Sequence, residues 1–186
     1  MELLDWRRRV HELYGEVRAG YRSDPEEAHQ RWLAGRQELV GRHPQSPLDE
    51  EARARFRGLD HFPYDPALAF TARVEEAEQR RYELPTSSGG AMAFVRFGRV
   101  RLAVGTLDLY WLDAYGDGLF LPFRDTTADR DTYGGGRYLL DTVKGADLGS
   151  AADGELVLDF NFAYNPSCHY RSDWTCPLPP PDNWLD

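Results

Sequence analysis

The feature that most constrains this chain is a change of hydrophobic period near residue 68. Before it, Leu3, Trp6, Val10, Leu13, Val17 and Tyr21 recur at steps of three and four, the spacing that aligns apolar side chains along one face of an α-helix. After it, the runs AFTARVE, RRYEL, AMAFVRF, VRLAVG, LDLYWLD, GLFLPF, RYLLDTV and ELVLDF are short, apolar or alternating, and divided by turn residues, as strands are. Helices first and strands afterwards define an α+β chain with antiparallel pairing. The sequence therefore predicts N-terminal helices packed on a mainly antiparallel β-meander, closed into a barrel or sandwich. It assigns residues 1–186 to a single domain, with a helical part (1–60), a β body (68–162) and a Pro-rich C-terminal arm (163–186).

Local chemistry sharpens these assignments. Asp24, Pro25 and Glu27 supply the cap, first residue and capping box of a second helix whose buried face is Trp32, Leu33, Leu39 and Val40, with Gly41 as its expected stop. A third, shorter helix is expected to be capped by Ser46, opened by Pro47 and closed by Gly58. Gly98 reads as a tight connection between two strands, and Tyr115-Gly116-Asp117-Gly118 as a hairpin turn, because Asp-Gly readily supplies positive φ.

Charge and composition exclude several classes. Asp and Glu number 31 against 22 Lys and Arg, for a formal charge of −9. That balance argues against nucleic acid as a partner, since such binding needs a basic face that displaces counterions. No stretch approaches the roughly 20 apolar residues of a membrane span, and the first residues contain no continuous apolar core of a secretory leader. A cytoplasmic protein without a membrane partner is the expectation.

Three polar constellations stand out. The first, FRDTTADRDTYGGGRYLL from Phe123 to Leu140, holds more polar and glycine residues than a connection needs. Asp125 followed by Thr126 and Thr127 suits an Asx turn, and Gly134-Gly135-Gly136 suits either a plain loop or an anion-binding nest. It is not a P-loop, for the Lys-Ser/Thr pair is absent. In the second, ELVLDFNF, a period of two puts Leu156, Leu158, Phe160 and Phe162 on a core face and Asp159 and Asn161 on the other, followed by Tyr164 and Asn165. The third holds Cys168 and Cys176, eight positions apart, with His169 between them. That spacing does not suit zinc, which favours ligands in C-x2-4-C pairs. Buried free thiols, a short-loop disulfide, or a reactive Cys168 remain open, the last needing a base such as His43 or His61 brought near by the fold.

Together these segments resemble the signature blocks of the bacterial and archaeal domain-of-unknown-function family number 1684: F-R-D-x-T, T-Y-x-x-G-R-Y-L, D-F-N-x-A-Y-N-P-x-C and C-P-L-P-P-x-E-N. HPQSPL and FRGLDHFPYDP match its upstream pattern, so the resemblance covers about residues 40–185. Asp182 departs from it, standing where the family usually has Glu. The positions it carries over are Arg124, Asp125, Thr127, Tyr133, Gly136, Arg137, Tyr138, Asp159, Asn161, Tyr164, Asn165, Cys168, Cys176 and Asn183. The family has no established activity, yet a motif so rich in Arg, Asp, Asn and Tyr is hard to explain by packing alone. The resemblance thus favours a polar pocket for a small, anionic molecule. Arg124 or Arg137 would hold the anion, and Asp125, Tyr133, Asn161, Tyr164 and Asn165 would line the pocket. Asp159 would serve as general base or orienting acid, and Cys168 as a thiol participant, if the pocket is catalytic. A binding module without chemistry, or a purely structural network of Arg137, Asp125, Asp159 and Asn161, fits the same residues. No cofactor and no metal are implied, and the oligomeric state is left open.

Overall fold

The computed structural model describes residues 1–186, the side chain of Ala152 excepted. Helices α1 (Glu2–Tyr21) and α2 (Pro25–Arg42) pack together through Leu13, Tyr14 and Val17 on one and Ala28, Trp32 and Leu39 on the other. Asp24 caps α2 as its sequence requires, accepting the Glu27 N–H at 2.9 Å. Gly41 is not a stop: α2 runs through it to Arg42. Its missing side chain admits the Phe56 ring, a carbon of which would lie 2.7 Å from an added Cβ. Helix α3 (Glu50–Arg55) is capped by Asp49, which accepts the Ala52 N–H at 2.8 Å, and not by Ser46. The Ser46 hydroxyl instead donates to the Val40 carbonyl and ties the linker back to α2.

The strands form two antiparallel sheets. One has five strands in the order β2 (Glu75–Pro85), β3 (Ala91–Leu102), β4 (Gly105–Leu112), β5 (Leu119–Phe123) and β6 (Arg137–Asp141). The other pairs β1 (Ala69–Ala72) with β7 (Leu156–Asp159). The runs AMAFVRF and VRLAVG, expected as two strands, are one continuous β3. Gly98 lies at a register shift inside it rather than at a turn, because an added Cβ would meet Val74 at 2.3 Å. The expected hairpin between β4 and β5 is present, with positive φ at Gly116 and Asp117.

Neither sheet closes into a barrel. The chain's own C-terminal segment occupies both edges of the five-stranded sheet, where closure would have required β2 to meet β6. Tyr138 and Tyr164 exchange backbone hydrogen bonds at the β6 edge, and the Leu178 N–H reaches the Pro85 carbonyl at the β2 edge. Edge groups are thereby paired without closure.

The two faces of the sheet bury separate cores, and β4 shows the alternation. Tyr110 joins the cluster of Trp32, Val17, Phe94 and Tyr138 beneath the helices, whereas Leu107 and Leu109 join Val100, Leu121, Phe123 and Leu158 beneath the β1–β7 pair. Helices, five-stranded sheet and two-stranded ribbon thus form three layers. The arm is locked at Asn183, which is fully buried. Its amide donates to the carbonyls of Asp108 and Pro122 at 3.0 and 2.7 Å and accepts the Asp108 N–H at 3.1 Å. Among the described residues no helix is long and apolar enough to cross a membrane.

Candidate functional site

A cavity of about 1020 Å³ opens where the segment after α3, the 125–137 loop and the chain following β7 meet. Of the residues singled out in the sequence, Asp125, Tyr133, Arg137, Asn161, Tyr164 and Asn165 line it. Arg124, Asp159 and Cys168 do not. Two of the three polar constellations therefore meet at the cavity, and the third reaches it through His169 and Tyr170.

Arg137, at the first position of β6, pairs with Phe123 in register and stacks its guanidinium 4.8 Å above that ring. One nitrogen donates to Asp125 at 2.5 Å. Burial pushes the Arg137 pKa down, and the Asp125 carboxylate opposes that shift. The other carboxylate oxygen of Asp125 accepts the Thr127 N–H at 3.0 Å and the Thr127 hydroxyl, the Asx turn expected of this sequence. The loop is internally bonded. The Thr127 carbonyl accepts the N–H groups of Arg130, Asp131 and Thr132. The glycine triplet is used for close approach. Gly136 has φ +83° and would meet Pro179 at 2.5 Å and the Phe123 carbonyl at 2.6 Å if it carried a Cβ, and its N–H is committed to the Tyr133 carbonyl.

Arg124 does not line the cavity, though its partner Asp129 does. It stacks on Trp184 at 5.0 Å and donates to Asp129 at 2.7 Å.

Asp159 has no exposed surface. The ELVLDFNF alternation stops at it, because Phe160–Phe162 form a 3₁₀ turn and not a continuing strand. Its oxygens accept from the Tyr21 hydroxyl (2.9 Å), the Tyr64 hydroxyl (3.3 Å), the Asn161 N–H (2.9 Å) and the Asn161 amide (2.7 Å). Burial, aided by this carboxylate, pushes Tyr64 up to about 12, so the phenol keeps its proton and donates. Asn161 is equally committed: its amide brackets the backbone of Asp65, donating to the carbonyl at 2.8 Å and accepting the N–H at 2.9 Å.

Cys168, in the short helix α4 (Ser167–Tyr170), and Cys176 are both free and buried. The Cys168 N–H reaches the Cys176 sulfur at 3.4 Å, and the Tyr133 hydroxyl reaches the Cys168 sulfur at 3.5 Å. Hydrogen bonding from Cys176, and then from Tyr133, pulls the Cys168 thiol down to about 6 against the effect of burial, while Cys176 is pushed up. His43, one of the bases considered for Cys168, bonds Asp5 at 3.0 Å instead. Among the described residues no group of three or more His, Cys, Asp or Glu is placed to hold a metal ion.

One cavity residue, Arg36, was missed in the sequence as a site candidate. Arg36 projects from α2 with its guanidinium 4.4 Å from the Tyr164 ring and 5.3 Å from Trp32. Its Nε is buried without a partner, and among the described residues it forms no salt bridge with a carboxylate. Asn165 adds a buried side-chain oxygen that accepts no hydrogen bond. His61 lies edge-on to Trp32 at 5.3 Å, and burial, then the nearby Arg36, pushes it down to about 4. It is neutral at physiological pH. The signal for Arg36 was its spacing. It falls four residues after Trp32 on the same stripe as Leu39 and Val40, an arginine where the helix buries its apolar face.

Comparison with known proteins gives a family and a solved structure of similar fold. Residues 54–186 match the family described as protein of unknown function DUF1684. An uncharacterised protein of Haloarcula marismortui, solved in solution by NMR, is 33% identical, with a TM-score of 0.59 over 88% of this chain and 90% of that one. No curated protein matches. Because the family match extends from α3 through the strands, the cavity wall and the locked arm, the chain belongs to the DUF1684 family of proteins of unknown function.

Proposed function

We propose that this protein binds a small organic anion in the cavity, with Arg36 and Arg137 gripping the anionic group. One observation carries the reading. Arg36 presents a charged group without a carboxylate and with a buried, unpartnered Nε, next to a cavity large enough for a ligand. Buried polar groups are nearly always paired, and leaving one unpaired costs on the order of 1–3 kcal/mol. A carboxylate or phosphate accepting from the outer guanidinium nitrogens of both arginines would offset the cost of holding the Arg36 charge in the wall, through charge-assisted bonds.

Binding is favoured over catalysis because the groups nominated for chemistry are occupied elsewhere. Both oxygens of Asp159 are already bonded to four donors, and the Cys168 sulfur lies behind Tyr133. A structural role for Asp159 and Asn161 is favoured by the same bonds. They join α1, the segment before β1 and the end of β7 into one buried knot.

The test is thermal unfolding of the full chain with a panel of small carboxylates and phosphate esters. At 100-fold above its dissociation constant a true ligand should stabilise by about 2.7 kcal/mol, raising Tm by roughly 5–10 °C for a chain of this size. Arg137→Met should remove that rise. A panel in which no anion moves the melting curve would refute the reading.

A further inference from the structure

The two ends of the cavity differ in kind. Arg36, Tyr164 and His61 belong to the layer beneath the helices, where Arg36 stacks on Trp32 and Tyr164. The opposite wall is built by Phe160, Val104 and Leu185, which pack on the core beneath the β1–β7 ribbon, with Leu68 and Phe62 continuing the wall outward. Phe62 is 54% exposed, a large ring left in water at the cavity edge. Arg137 stands between the ends, stacked on Phe123 of the ribbon-side core.

The charge distribution limits the ligand to one anionic group. Arg137 already bonds Asp125, Arg130 pairs with Asp131 at 3.7 Å, and Asp60, Asp129 and Asp186 leave the exposed rim of the same cavity acidic on balance. A second negative charge reaching that rim would be repelled. Size excludes a bare inorganic ion as the fitting occupant. The cavity lies at the top of the roughly 300–1000 Å³ span of small-molecule sites, and an ion would leave the apolar wall wet.

We propose that the ligand is an amphipathic monocarboxylate whose carboxylate lies between Arg36 and Arg137 and whose hydrocarbon body lies along Phe160, Val104, Leu185 and Phe62. This deepens the binding reading above and rests on it. Burying one methylene contributes about 0.8 kcal/mol, close to a fourfold gain in affinity per carbon.

The experiment is calorimetric titration of the full chain with straight-chain carboxylates from acetate to decanoate, with decanol, octanedioate and inorganic phosphate as comparators. Support would be affinity rising about fourfold per methylene between hexanoate and decanoate, with decanol and octanedioate at least tenfold weaker than the monocarboxylate of the same length. Arg36→Leu should abolish the preference for carboxylate over alcohol. Phe62→Ser, on an exposed ring, should flatten the chain-length dependence. If phosphate or acetate bind through the arginines without any gain from chain length, this ligand class is wrong and the anion-binding reading stands. If decanoate binds equally well to Arg36→Leu, the carboxylate contact is wrong. If no anion binds at all, both readings fall together.

Discussion

The knot at Asp159 and the arginine end of the cavity are built from similar residues and behave in opposite ways. At the knot every polar group has a partner: four donors converge on Asp159, and Asn161 uses its amide on both sides of Asp65. At the cavity, Arg36 Nε and Asn165 Oδ1 are buried with none. A satisfied buried network rigidifies a fold, whereas an unsatisfied one is costly unless something else completes it. On the proposed reading, the contrast separates residues that hold the protein together from residues that await a ligand, and Arg36 lies outside the residues matched to the family.

The largest expected effect is at the knot. Asp159→Ala strands four donors at a site with no exposed surface and should cost about 4 kcal/mol, read as a fall in the denaturant midpoint. A loss below about 1 kcal/mol would mean that water or rearrangement replaces the carboxylate, and the knot would lose its special status. Gly136→Ala comes next. It combines positive φ with close contacts to Pro179 and the Phe123 carbonyl and should cost about 2–3 kcal/mol. Because it also loosens the arm, limited proteolysis after the substitution should release the segment beyond residue 176 first.

A smaller effect comes from acid. His61 is held near 4 in the folded chain by burial, below the ordinary value of about 6.5. As pH falls through 6.5 the unfolded chain takes up the proton first. Its contribution is therefore complete above pH 6.5 and lost progressively down to pH 4. Allowing for partial solvent screening, the loss between pH 7 and pH 4.5 should be about 1–2 kcal/mol. His61→Gln should flatten that stretch of the stability profile; an unchanged slope would assign the acid sensitivity to other groups, such as His29, whose pKa is also lowered by burial.

Much of the fold was legible in the sequence because local chemistry and tertiary structure agree. The Asp24-Pro25 start of α2 and the Tyr115–Gly118 hairpin depend only on their neighbours. Barrel closure was not legible, since it turns on where a distant segment lies. Pro177, Leu178 and Tyr164 satisfy the sheet edges, and no local pattern announces that. The Gly98 shift escaped for a related reason, because the atoms requiring it belong to the Val74 side chain, just before the neighbouring strand β2. At the cavity, the Asp125–Arg137 pair was visible as a polar motif between strands. Arg36 was not, because an arginine among other charged helix residues looks solvated until its neighbours Trp32 and Tyr164 are seen to enclose it.

The smallest expected change in stability is also the most informative. Arg36→Leu, melted without and with a saturating anion that stabilises the native chain, tests the distinction between held and waiting residues in one pair of curves. Without ligand the substitution should leave Tm within about 2 °C of the native value or raise it, since it removes an unpaired buried group; with ligand the native rise of several degrees should vanish. A ligand-free loss of 6 °C or more, together with an undiminished ligand-induced rise, would show that Arg36 supports the fold and takes no part in binding.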